Sequence, residues 1–237
     1  MPDAPRTARA LARETITREI RAAARARLAT DGPAALSLRA VARDVGMVSS
    51  AVYRYFPSRD ALLTALIVEC YDELGAAVEA ADAAVADRDD VAARWLAACR
   101  ALRSWAVAHP GELGLLYGTP VPGYAAPRDT VDPATRVVRV LLAVVARAHE
   151  AGASPRPAPA GAPDATAVVG PAREFVAARG IVADAPTELV ARALMAWTAL
   201  FGTVSFELFG HLVGSVADPE AWYDAVARRL GADLGIG

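Results

Sequence analysis

Gly46 stands between two short runs that each read as a helix, and this arrangement constrains the fold more than any other feature of the chain. Upstream, Leu38, Val41, Ala42 and Val45 fall at helical spacing and define one inward face. Ser37 occupies the N-cap position, where its hydroxyl can accept from an orphan backbone N–H, and Leu36 with Val41 forms a hydrophobic staple. The capping box stays open, because Ala40 stands where Glu or Gln would close it. Gly46 supplies the left-handed conformation that ends a helix. The second helix is expected from Val48 to Phe56, stopped by Pro57, with Ser58 capping the next helix. Val52 and Phe56 lie one turn apart and pack on the first helix, which leaves Ser49, Ser50, Tyr53, Arg54 and Tyr55 outward. Two readings fit that face. One is an ordinary hairpin with a solvated side; the other is a helix-turn-helix whose second helix enters the major groove, where hydroxyls, phenols and guanidinium groups bond phosphates and base edges.

Charge favours the second reading. The net charge of −2 argues against a generic nucleic-acid binder, but its distribution is uneven. Residues 1–60 carry eleven arginines against six acids, and residues 61–237 carry fourteen against twenty-one, with no lysine anywhere. A basic end on an acidic body is drawn to DNA in a set orientation.

The run Val41-Ala42-Arg43-Asp44-Val45-Gly46, followed by Tyr53-Arg54-Tyr55-Phe56-Pro57-Ser58-Arg59 and Asp60-Ala61-Leu62-Leu63, resembles the DNA-binding domain of TetR-family transcriptional regulators over about residues 13 to 75. Leu116 to Tyr124, Ala196-Trp197 and Phe206 to Gly210 resemble an actinobacterial-type subgroup of that family. The family usually places Ser or Thr, as the cap of the recognition helix, where this chain has Val48; one expectation is that Ser49 or Ser50 caps instead and the helix starts a residue late. The resemblance implies an all-α protein with a three-helix DNA-binding domain at 13–60 (motif about 37–56) and a larger helical ligand-binding and dimerisation domain at 61–237. It implies DNA contacts from Ser37, Arg39, Met47, Val48, Ser49, Ser50, Tyr53, Arg54, Tyr55 and Arg59, and a homodimeric repressor that a ligand releases from a palindromic operator.

The rest of the chain reads as helices. Residues 1–12 form an Arg-bearing tail, and a first helix runs from about Glu14 to Thr30 with Ile16, Ile20, Ala23 and Leu28 inward. A long helix from Arg59 to about Ala86 links the two domains. Another spans Asp90 to Ala108, broken by His109-Pro110-Gly111; a short helical turn covers Glu112 to Tyr117, and a proline-rich loop covers 118–133. Pro133 to Glu150 is apolar on most sides and reads as central; 152–164 has four prolines and no period, and reads as a mobile linker; 168–179 is a short helix. Thr187 to Val213 keeps helical period, and Asp218-Pro219 starts a final helix.

Trp95, Cys99, Trp105, Tyr117, Phe175 and Trp197 could line a cavity for a small apolar or aromatic inducer, with Arg94, Arg103 or His109 as polar anchor; each is equally compatible with plain core. Phe201, Leu208, Phe209, Leu212, Trp222 and Val226 offer more apolar surface than one core needs, which suggests a homodimer through a four-helix bundle, internal packing being the other reading. Cys70 and Cys99 read as buried free thiols, and the three histidines lie too far apart for a metal set, so no cofactor is expected. No nucleophile elbow, Walker loop or dinucleotide fingerprint occurs, so an enzyme is not expected. The competing class is a small-molecule-binding helical protein or enzyme whose N-terminal hairpin is structural. No secretory signal is expected, and the longest uncharged apolar stretch, Ala193 to Phe206, is shorter than the ~18–20 residues a span needs, so the reading is cytoplasmic.

Overall fold

The computed structural model describes residues 7–180 and 186–237, which are helical without strands. The first six residues of the tail lie outside the described residues. Helix α1, Ala8–Asp31, begins well before Glu14, because the Thr7 hydroxyl accepts from the Ala10 N–H at 3.3 Å and caps it early. It buries Ile20, Ala24 and Leu28 and ends at Gly32, whose φ of +74° is left-handed. There follow α2 (Leu38–Asp44), α3 (Ser49–Val52) and α4 (Arg59–Ala83). The body continues with α5 (Val91–Ala108), α6 (Pro110–Tyr117), α7 (Val131–Glu150), α8 (Ala165–Ala178), α9 (Thr187–Leu208) and α10 (Pro219–Asp233). Pro110 opens α6 at its first position, where a missing N–H costs nothing, so the expected breaker is a starter.

Packing divides the chain at places other than residue 60. One compact unit holds residues 1–71 and 109–131; the other holds 72–108 and 132–237. In the first, Ile20, Leu28, Leu38, Val41, Val52, Phe56, Leu62, Leu63 and Leu66 share a core with Leu115 and Val121. Helix α6 joins because Gly111 lets it approach α1 closely: a Cβ there would lie 2.9 Å from the Ala29 backbone. Arg25 on α1 donates to Glu112 at 3.0 Å and pairs with Glu69 at 3.5 Å. The Tyr71 and Tyr117 rings meet edge-on at 5.9 Å, and the Thr64 and Tyr124 hydroxyls lie 2.9 Å apart.

In the second unit, α5 packs on α9 and α10. The Trp95 indole N–H donates to the Ala227 carbonyl at 2.8 Å, and Arg103 grips Glu207 with two bonds of 2.9 and 2.7 Å. Arg136 on α7 lies across Gly75 and reaches both Asp72 and Glu79 at 2.9 and 2.6 Å. The 152–164 segment is anchored in its first half, contrary to a free linker. Arg156 N–H donates to the Asp233 carbonyl at 2.9 Å, and Arg192 donates to the Pro157 carbonyl at 3.0 Å. Helix α9 is long and apolar enough to cross a bilayer by length and composition alone, but its Leu189, Val190, Ala196, Leu200, Phe201 and Val204 are turned into the bundle.

Asp82 near the end of α4 accepts from the nearly buried Arg94 at 2.8 Å and from Arg88 at 2.6 Å. Burial works against its charge, but the two arginines outweigh that and hold the carboxyl below its ordinary value. A lowered carboxylate contributes stability above its unfolded value and loses it as pH falls through the folded one. Asp82→Asn is therefore expected to cost about 1–3 kcal/mol at neutral pH, with the gap to wild type closing in acid; urea melts at stepped pH measure it.

Candidate nucleic-acid interface

The turn between α2 and α3 is built as its residues require. Gly46 has φ +66°, and the Met47 N–H donates back to the Ala42 carbonyl at 2.9 Å. Leu38, Val41 and Ala42 are buried under it, and Val52 and Phe56 hold the second arm from below. Arg27 on α1 donates to Asp44 at 2.9 Å, and this bond holds the Asp44 carboxyl below its ordinary value. With Asp44 so engaged, the acid closest to the turn is balanced.

Several expectations are corrected here. Helix α3 is a single α-helical turn, Ser49–Val52; the chain from Tyr53 to Phe56 continues in tight turns, such as the Tyr55 N–H to the Val52 carbonyl at 2.9 Å. The approaching Pro57 explains why the helix does not run to Phe56. Ser37 does occupy the N-cap of α2, but its side chain makes no capping bond. The cap of α3 is Val48 itself, in extended conformation, and neither Ser49 nor Ser50 takes the role. Met47 is half-buried against the core, as is Tyr55, over which the Arg13 guanidinium sits at 5.1 Å. Arg59 is not a free cation: its guanidinium donates to the carbonyls of Leu36, Pro33 and Ala34 at 3.0, 3.1 and 3.0 Å.

What remains outward is Arg39 on α2, then Val48, Ser50, Tyr53 and Arg54, with Ser49 half-buried among them. That surface combines two serine hydroxyls, one of them half-buried, with one phenol, two guanidinium groups and an apolar side chain. Arg13 was missed by sequence reasoning. It donates to the Arg54 carbonyl at 3.3 Å and so braces the end of the recognition arm from a position 41 residues away, where no local pattern announces it.

The residues expected around a ligand fall in several surroundings. Trp95, Cys99 and Trp105 are buried on α5, and burial pushes the Cys99 thiol far above its ordinary range. Tyr117 belongs to the first compact unit, as does His109. Phe175 is exposed on α8 under the Arg179 guanidinium, 3.7 Å away, and Trp197 is half-buried beside Phe201. Arg94 and Arg103 are committed to Asp82 and Glu207. A cleft of about 700 Å³ in the second unit is lined by Asp72, Glu79, Asp132, Arg136, Arg139 and Arg179 among others, and by none of the six. Of the expected interface residues, Phe201 is buried within its own chain and so offers no surface to a second copy. Leu208, Leu212 and Val226 are half-buried, while Phe209 and Trp222 are exposed, joined by Phe206 and Val213.

Comparison with known proteins agrees with this geometry. Residues 20–66 match the family of bacterial regulatory proteins of the tetR type, and residues 95–230 match a tetracyclin repressor-like C-terminal domain. HTH-type transcriptional regulators of Mycobacterium tuberculosis and Mycobacterium bovis are each 41% identical over 235 residues, 94% of this chain and of theirs. The crystal structure of regulatory protein SCO4313 is 33% identical with a TM-score of 0.73, covering 94% of this chain and 98% of that one. A Rhodococcus sp. RHA1 protein is 25% identical with a TM-score of 0.68, covering 99% of both. A helix-turn-helix with a basic, hydroxyl-bearing outer face, two matched regions and likeness along almost the whole length lead to one conclusion: the chain belongs to the TetR family, as a DNA-binding transcriptional regulator and not an enzyme.

Proposed function

We propose that the protein acts in the cytoplasm as a homodimeric repressor that reads a two-fold symmetric operator and leaves it when a small molecule binds the body. The observation that carries the reading is the outward set Arg39, Val48, Ser50, Tyr53 and Arg54 around a left-handed glycine turn. A single such arm reads only a few base pairs, so specific binding calls for two arms on half-sites about 34–36 Å apart or a multiple of it. Phe206, Phe209, Val213 and Trp222 are the exposed apolar side chains near the end of the chain that support self-association. Phe175 and Trp197 retain access to a small apolar or aromatic inducer. An inducer that prefers a conformer with displaced arms shifts the population away from the bound state.

Selection of bound sequences from random duplexes tests the reading, and a palindrome is the expected product. On that operator, Tyr53→Ala or Arg54→Ala is expected to weaken specific binding by about 1–3 kcal/mol. Arg39→Ala is expected to weaken all duplexes alike and to lower the salt slope by about one. Recovery of unrelated sequences, or wild-type footprints from all three variants, would falsify the assignment of this face.

A further inference from the structure

Val48 combines two costs at one position. It is the N-cap of the recognition helix, where Ser, Thr, Asp or Asn would accept a bond from an orphan N–H, and its side chain caps nothing. It is also a large apolar side chain left 70% exposed, while its neighbour Met47 turns into the core. A helix of four residues makes few backbone bonds of its own, so leaving that cap unmade is a disadvantage beside the packing of Val52. Both costs are repaid together if the side chain meets an apolar partner outside the chain.

The position says which partner. Residues at the N-terminal end of a recognition helix are those that reach base edges in the major groove. The other outward groups nearby, Ser50, Tyr53 and Arg54, all carry hydrogen-bonding atoms suited to base edges or phosphates. Val48 can offer only methyl groups. The apolar group that projects furthest from the major-groove edge of a base pair is the C5-methyl group of thymine. We infer that Val48 is a specificity-determining residue that reads a thymine methyl in each half-site. The inference deepens the proposed operator reading and rests on it.

Replacing each thymine of the selected operator by deoxyuridine removes that methyl and leaves every hydrogen-bonding atom in place. Wild-type protein is expected to lose about fourfold in affinity per half-site at one thymine position, the factor that corresponds to burial of one methyl-sized group. Val48→Ala is expected to bind the thymine operator more weakly and to show no difference between thymine and deoxyuridine at that position. Val48→Ser is expected to melt at higher temperature, since it restores the cap, and to share that indifference. Both substitutions lie at an exposed site, and thermal melts verify folding. The inference is overturned if no thymine position discriminates in wild type, or if the discrimination persists undiminished in Val48→Ala. Tyr53→Ala, run alongside, separates the two failures: if it still loses operator affinity, the helix docks as proposed and only the role of Val48 is wrong.

Discussion

Trp95→Ala is expected to lower the unfolding free energy by about 3–5 kcal/mol, the range for emptying a buried tryptophan site. Trp95 is 3% exposed, and its ring fills a notch that exists because residue 231 is glycine: a Cβ there would lie 3.1 Å from the indole. Its N–H is satisfied by the Ala227 carbonyl, so the substitution removes both packing and a bond between α5 and α10. Trp95→Phe should recover part of the loss by refilling volume and none of the hydrogen bond. Urea denaturation of the three proteins measures this. The alternative is that Trp95 faces a cavity and meets the inducer; then Trp95→Ala would leave stability nearly unchanged and abolish release from DNA by inducer.

Arg59→Ala is expected to cost about 2–4 kcal/mol in stability, because a charged fork that satisfies three carbonyls is lost and each such bond is worth about 1.5–3 kcal/mol before discount for partial exposure. The carbonyls of Pro33, Ala34 and Leu36 belong to the tight turn that feeds α2, where few intrahelical donors are available. Arg59 therefore holds the entry to the helix-turn-helix from the first turn of α4. Arg59→Lys should restore little, since an ammonium cannot span three acceptors as a planar fork does. Thermal melts give the stability, and a titration of operator affinity against salt separates this clamp from a DNA contact. Loss of a phosphate ligand would flatten the salt slope with melting unchanged; loss of a structural clamp lowers melting and leaves the slope alone.

The sequence announces the helices and the motif because their signals are local. Gly46, Pro57 and the spacing of Val41, Val52 and Phe56 act over one or two turns, and the structure places them as that spacing requires. The sequence is least informative where a distant partner decides. Tyr55 and Arg59 carry groups that suit DNA, yet Arg13 and the Pro33–Leu36 turn claim them. Nothing within ten residues of either reveals that. Phe201 keeps the same period as its exposed neighbours, and only the packing of α9 tells which face is inward. The cap is a different case: Val48 is visible as an anomaly, but whether the helix starts late or starts uncapped depends on backbone geometry that composition does not carry.

The interleaving of the two compact units bears on how such regulators can be recombined. A chimera that exchanges only residues 1–71 with a relative would import α1 without the native surface that lies against it. Gly111 and Glu112 would stay behind in this chain, facing the relative's residues in place of Ala29 and Arg25. A transplant of DNA specificity between members of this family therefore has to move two separate stretches, 1–71 and 109–131, as one graft.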